Sequence, residues 1–216
     1  MDEFRGWKKA ASALKMKYIE IWSVGNSVLD IGSGLGFYSE HMAVRYSNVV
    51  GVDVEKQYSP KKSKFTLARA ENLPFRDCLF DTVFLFDVLE HSSNPDAVLS
   101  EVFRVGKRRL ILSVPNSNDL FLPNYNLTFK HHKDKTHRRE FTTEDIVSLL
   151  SNHGFSVISV TCENDVSPIV FAEFLRPRCL KRLYALVLRL MNKLKLFNLP
   201  KADIFVVASY KYDEVQ

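Results

Sequence analysis

The 216-residue chain is poor in the residues that mark stapled, fibrous or membrane-spanning proteins. Its three cysteines (Cys78, Cys162, Cys179) lie far apart and form no CxxC pair. That spacing argues against a disulfide framework and against a cysteine-built zinc site, and it fits a reducing compartment. No uninterrupted apolar run approaches the roughly 20 residues that cross a bilayer. Met1 to Arg5 are acidic and then mixed, without the apolar core of a secretory leader, so a cytoplasmic setting is expected. Internal repeats and low-complexity segments are missing as well. Glycine is scarce too: there are eight, and Gly32, Gly34 and Gly36 crowd into five positions.

What is present reads as a globular protein. Apolar residues make up 46% and charged residues 25% of the chain, and one domain over residues 1–216 with a full core is the expected organisation. Thirty Lys and Arg against 25 Asp and Glu leave a net charge of +5. The excess is uneven. Lys130 to Arg139 carries five Lys or Arg and three His against one Asp, and Arg176 to Lys195 carries no acid at all. Such clusters attract anionic partners, or else form a solvated face with no partner.

Apolar spacing at Leu14, Tyr18 and Trp22, continued back to Phe4, predicts an N-terminal helix over 3–22. Strands are expected at 28–31, 49–54, 65–69, 82–86, 110–114, 157–161 and 204–209. Helices are expected at 37–46, 94–105 and 143–153, the last capped by Thr142 or Thr143 and stopped by Gly154. Short β-branched runs alternating with helices predict an α/β fold: a doubly wound, mostly parallel seven-stranded sheet with helices on both faces and its last strand antiparallel. Ligands of such sheets bind beyond the carboxyl ends of the strands.

The strongest local signal is Val28-Leu29-Asp30-Ile31-Gly32-Ser33-Gly34-Leu35-Gly36, a strand running into three alternate glycines ahead of a helix. A dinucleotide fingerprint would need glycine where Phe37 stands, and no Lys-Ser/Thr follows to make a phosphate loop. G-x-G-x-G is the form associated with S-adenosyl-L-methionine, which brings no phosphate to the helix. Asp53 closes the second strand 17 residues beyond Gly36, where a carboxylate can accept from both hydroxyls of a ribose. The alternative is an exposed strand-end Asp. Asp30 lies inside an apolar strand, where an unpaired carboxylate is costly. It is expected to meet the cofactor's methionine amino group, or else the N–H groups of the turn.

These pieces, together with Ala70-Glu71-Asn72-Leu73-Pro74-Phe75, Phe80-Asp81-Thr82-Val83, Asp87-Val88-Leu89-Glu90-His91 and Ser113-Val114-Pro115-Asn116, resemble the class I S-adenosylmethionine-dependent methyltransferases with small-molecule or lipid acceptors. The resemblance spans about 28–116. It implies that Gly32, Ser33, Gly34 and Gly36 back the methionine of the cofactor. Asp53 would hold the ribose and Val54 would lie against the adenine. Ala70 and Glu71 would flank its edge, with Leu73 packed nearby, and Asp87 and Val88 would face the cofactor beside the acceptor. Two departures stand out. Arg69 occupies the place of the Asp that often accepts the adenine amino group, and Arg104 to Arg109 replaces the usual Pro-Gly-Gly turn.

Methyl transfer from a sulfonium is an in-line displacement, so orientation and exclusion of water do most of the work. An acceptor hydroxyl or carboxylic acid also needs a base, and His137 and His91 are the catalytic candidates. His91 reads equally as a structural hydrogen-bonding group. His131, His132 and His137 lack a partnering Cys or paired carboxylate, so no metal site is expected. Substrate choice is expected from segments at about 116–141 and 165–200. In the second, residues 180–195 form a basic amphipathic pattern with Leu180, Leu183, Tyr184, Val187, Met191 and Leu194 on one face. That helix would lie peripherally on an anionic membrane, or pack on its own sheet or on a homodimer partner. The expected partner is a small-molecule, lipid or glycan-precursor acceptor. Nucleic acid is disfavoured, because no RNA-binding module is present and no Asn-Pro-Pro-Tyr follows the fourth strand. The competing readings are a non-catalytic cofactor-binding or regulatory protein on the same fold, and an RNA or protein methyltransferase.

Overall fold

The structure, a computed structural model, describes residues 11–117, 136–165, 168, 178–196, 199 and 201–211. Its strands are β1 (Ser27–Ile31), β2 (Asn48–Asp53), β3 (Lys64–Leu67), β4 (Phe80–Phe86), β5 (Gly106–Pro115), β6 (Phe155–Asp165) and β7 (Lys201–Tyr210). Its helices are α1 (Ala13–Trp22), α2 (Phe37–Met42), α3 (Pro95–Val105), α4 (Thr143–Asn152) and α5 (Lys181–Lys193).

All seven strands share one sheet in the order β3-β2-β1-β4-β5-β7-β6. β1 pairs parallel with β2 and with β4, and β2–β3 and β4–β5 are parallel too. Only β7 runs backwards, slotted between β5 and β6 and antiparallel to both. The order of strands reverses between β1 and β4, which opens a crevice beyond their carboxyl ends.

Each face of the sheet has its own core. On one, Val98, Leu99 and Val102 of α3 and Ile146 and Leu150 of α4 pack against Leu29, Leu85, Leu110, Leu112 and Phe155. On the other, Tyr18 and Ile19 of α1 and Met42 of α2 meet Val28, Val49, Phe84, Ile111 and Phe205. Tyr18 stacks on Phe205 with ring centroids 4.5 Å apart. Burying so much aliphatic and aromatic area is the main stabilising term, roughly 1.5–3 kcal/mol for each large side chain fully removed from water.

Local chemistry sets the element ends. Asn94 caps α3 by accepting from the Ala97 N–H, with Pro95 in the first turn. Thr142 and Asp145 form a capping box at α4, so Thr142 rather than Thr143 is the cap. Gly154 ends α4 at φ +85°. α1 begins at Ala13, after Ser12 accepts from the Lys15 N–H. The expected start at residue 3 is corrected over 11–12, while residues 3–10 of that expectation lie outside the described residues. β3 stops at Leu67 instead of Arg69, because Arg69 turns to form a bridge with Asn72. α2 stops at Met42, not Tyr46, because the chain tightens there and Met42 O accepts from Arg45 N (2.9 Å) as well as Tyr46 N (2.8 Å). No helix among the described residues is long and apolar enough to cross a membrane.

Candidate functional site

The turn after β1 is held by β2. Gly32 N and Ser33 N both donate to Val52 O, at 2.8 and 3.0 Å, and Gly36 N returns to Ser33 O at 2.8 Å. The three glycines adopt φ +75°, +52° and +72°, a left-handed path that costs other residues roughly a kcal/mol each. Their surroundings differ. A side chain at Gly32 would strike Val88, and one at Gly36 would strike the ring of Tyr58. At Gly34 a side chain would meet nothing nearer than the Gly32 carbonyl oxygen at 4.0 Å. Gly32 and Gly36 are therefore small because the protein's own side chains fill their places. At Gly34 the protein leaves room for something else to lie against the backbone.

Asp53 ends β2 beside this opening. Its Oδ2 accepts from Gly34 N at 2.8 Å and its Oδ1 from Glu55 N at 3.2 Å, so it braces the turn and keeps further lone pairs for an incoming donor. Val54 follows it with 58% of its surface exposed. Two hydroxyls buried around the turn, Ser33 Oγ and Tyr58 Oη, find no partner among the described residues. Buried polar groups are nearly always satisfied, so the open face at Gly34 and these two hydroxyls fit a polar ligand seated on the turn.

Asp30 finds its protein partner outside the glycine turn. It is buried (2% exposed), and its carboxylate accepts from the Ser39 hydroxyl at 2.6 Å and from the Ser39 backbone. The first turn of α2 supplies its partners, rather than the glycine turn. Burial nevertheless pushes its carboxyl up to about 6, against the pull of Ser39. Leu73 is a core residue, 3% exposed, drawn inward because its N–H donates to Glu101 Oε2 at 2.7 Å while Arg104 grips its carbonyl. Glu71 accepts from Ser92 Oγ (2.9 Å) and pairs with Arg69 (3.5 Å), which accounts for the arginine ahead of partly buried Ala70.

Across the crevice, Asp87 sits just past β4 at φ +54°. Ser113 Oγ donates to its Oδ1 at 2.8 Å, and Lys15 from α1 donates to its Oδ2. Burial works against ionisation here, but Lys15 and Ser113 outweigh it and hold the carboxyl below its ordinary range. About half of the side chain still reaches solvent. Val88 lies against Gly32 and so closes one wall of the crevice.

The structure also brings together the two histidines that the sequence separates by 46 positions. His91 and His137 meet edge to face, ring centroids 4.8 Å apart. Backbone bonds from Arg138 N (2.7 Å) and Arg139 N (3.3 Å) to Glu90 O fasten the second segment to the first. His131 and His132 lie outside the described residues. Sequence reasoning missed Lys15, Ser39, Tyr58 and Ser113. Ser113 stood inside a quoted motif, whereas the others reach the site across the fold and left no local signal.

Residues 29–113 match the family model described as a methyltransferase domain. The chain is 28% identical over 113 residues to a bifunctional biotin biosynthesis protein of Cellvibrio japonicus, covering 49% of this chain and 22% of that one. It is 32% identical over 107 residues to a ubiquinone biosynthesis O-methyltransferase of Dechloromonas aromatica, covering 44% and 46%. The chain thus spans less than half the length of either relative. Its fold is similar to a SAM-dependent methyltransferase structure from Archaeoglobus fulgidus, with a TM-score of 0.63, 20% identity and 91% of each chain covered. The matched stretch opens in β1 and closes in β5, taking in every strand that borders the crevice, so it is the cofactor-side half of the sheet that is similar to a methyltransferase domain.

Proposed function

We propose that the chain binds S-adenosyl-L-methionine across the carboxyl ends of β1, β2 and β4 and transfers its methyl group to an oxygen of a small-molecule acceptor. The observation that carries this reading is the glycine turn, whose middle glycine has an open face beside Asp53. Backbone at Gly34 and the Ser33 hydroxyl would line the methionine portion. Asp53 would accept from the ribose hydroxyls and Val54 would cover the adenine, with Ala70 and Glu71 at its edge. Asp87 and Val88 would face the sulfonium side, where a carboxylate favours positive charge. Gly32 and Gly36 would act through the shape of the turn.

Transfer needs the acceptor atom in line with the departing sulfur, at roughly 3–3.5 Å, with water kept out. The bond from acceptor oxygen to methyl forms as the bond from methyl to sulfur breaks, and the acceptor proton leaves to a base. His91 and His137 stand together for that task. An oxygen acceptor agrees with the O-methyltransferase among the relatives. The exposed apolar residues of α5, Leu183, Leu186, Val187 and Leu190, interleaved with Lys181, Arg182, Arg189 and Lys193, support a peripheral contact with anionic lipid. An acceptor presented at a membrane would suit that contact.

Calorimetric titration with S-adenosyl-L-methionine, with NAD as the control ligand, tests the reading. Saturable binding of the first alone is expected. Binding of neither ligand by the folded protein would overturn it. Binding without turnover across lipid-like and polar phenolic acceptors would move the chain to the non-catalytic reading.

A further inference from the structure

Among the described residues, Glu90 is a carboxylate buried with both oxygens unpartnered. It is 1% exposed, and neither of its oxygens has a side-chain or neighbouring backbone partner among the described residues. A group in this state needs a proton or a cation.

We propose that Glu90, His91 and His137 form a binding site for a divalent transition-metal ion of the zinc or manganese kind. One ligand atom from each of the three residues lies within 4.8 Å of the others. Metal bonds to carboxylate oxygen and imidazole nitrogen run at about 2.0–2.2 Å, so side-chain rotations of roughly 1 Å close the set around an ion. Two imidazoles and one carboxylate suit Zn²⁺, Mn²⁺ or Fe²⁺ better than the all-oxygen preferences of Mg²⁺ and Ca²⁺.

The surroundings are built for this. His91 Nδ1 lies 3.3 Å from the Thr136 carbonyl and 3.0 Å from its hydroxyl. With its proton on Nδ1 and donated to the carbonyl, the ring leaves the Nε2 lone pair for an ion, the arrangement that orients ligating histidines. The bonds of Arg138 N and Arg139 N to the Glu90 carbonyl fix the distance between the segments that supply the ligands. Two nearby cations are engaged elsewhere: Lys15 holds Asp87, and Arg139 donates to the Ser93 carbonyl at 3.1 Å. Asp87 and Asp203 add negative potential around Glu90. Histidine spacing alone points to no metal, because only the fold sets Glu90 beside His137.

Three protein ligands leave a coordination position open. Resting on the methyltransferase reading, that position would take the acceptor oxygen and lower its pKa so that its proton passes to solvent, with His91 and His137 acting as ligands instead of as a base.

The test uses the full chain, stripped with EDTA and desalted, then titrated calorimetrically with Zn²⁺ or Mn²⁺ alone, with bound metal counted after equilibrium dialysis. One saturable equivalent is expected. The His91→Ala/His137→Ala double variant, changed only at partly exposed positions, should lose at least 100-fold in affinity while its circular dichroism and melting temperature stay near those of the parent. Glu90→Gln should lose at least tenfold if it folds. Absence of saturable binding, or equal affinity in the double variant, overturns the site. S-adenosyl-L-methionine titrated into the same stripped protein tests the cofactor reading by itself, so the two proposals fail separately.

Discussion

The two ends of the β1–β4 pair carry carboxylates in opposite circumstances. At the amino end, Asp81 accepts from the backbone of Asn26 (2.9 Å) and Ser27 (3.0 Å) and from the Ser27 hydroxyl (2.7 Å), and it pairs with Lys107 (3.0 Å). Burial opposes its charge, but these donors prevail and bring its carboxyl down to about 2. At the carboxyl end, Asp30 is raised to about 6 and Glu90 well above its usual range. The same strands thus hold one saturated clamp and a group of under-partnered acids. Donors are spent on stability at one end and left unspent at the end where ligands bind.

The contrast breaks hardest at the clamp. Asp81→Ala orphans two amides and a hydroxyl and should cost about 4 kcal/mol. Thermal unfolding should show a melting temperature lower by roughly 8–16 °C, with affinity for S-adenosyl-L-methionine unchanged well below that midpoint. An unchanged midpoint would remove the clamp from the argument.

The pH dependences should run in opposite directions. Asp30 is raised on folding, so its stabilising contribution is complete below about 3.8 and is lost as pH climbs through about 6. Asp81 is lowered, so its contribution is complete above about 3.8 and is lost as pH falls through about 2. A shift of two units corresponds to about 3 kcal/mol. Denaturant unfolding at pH 4 and pH 7 should show Asp30→Asn recovering about that much of the parent's loss between the two. Parallel curves for parent and variant would refute the burial account.

A smaller effect is expected from Asp53→Ala. Losing the ribose acceptor should weaken cofactor binding by about 2 kcal/mol, roughly thirtyfold. The missing brace on Gly34 should also lower stability by about 1 kcal/mol. Calorimetry reads the first and melting the second, and affinity equal to the parent's in a folded variant would sink the ribose assignment. Ser113→Ala is the mildest change. It removes one hydrogen bond to Asp87 and should cost about 1 kcal/mol of stability, measurable by urea unfolding. A loss above 3 kcal/mol would mean that Ser113 does more than steady Asp87.

Much of this was legible from residues in a row. The strand–turn–helix at 27–42 announces itself through its glycines, and the capping box at Thr142 and Asp145 marks α4. What escaped reading depended on residues meeting across the fold. Ser39 reaches Asp30 because α2 folds back over β1, and Lys15 reaches Asp87 from 72 positions away. The glycines of the turn look alike in the sequence, yet Tyr58 and Val88 give two of them internal reasons to be small. The burial of Leu73 depends likewise on Arg104 and Glu101, which hold its backbone from about 30 positions away.

One joint has a consequence for how such a chain diversifies. Ser117 N bonds to Phe141 O at 3.0 Å, and Arg138 N bonds to Glu90 O at 2.7 Å, so the stretch between 117 and 136 is tied to the scaffold at both of its roots. Both anchors are backbone bonds to the scaffold itself and ask nothing of the side chains between them. Doubling its length should cost about 0.6 kcal/mol in closure entropy, a small charge against a domain's stability. Insertions between these two roots should therefore leave the sheet and its glycine turn intact, with the melting temperature as the check.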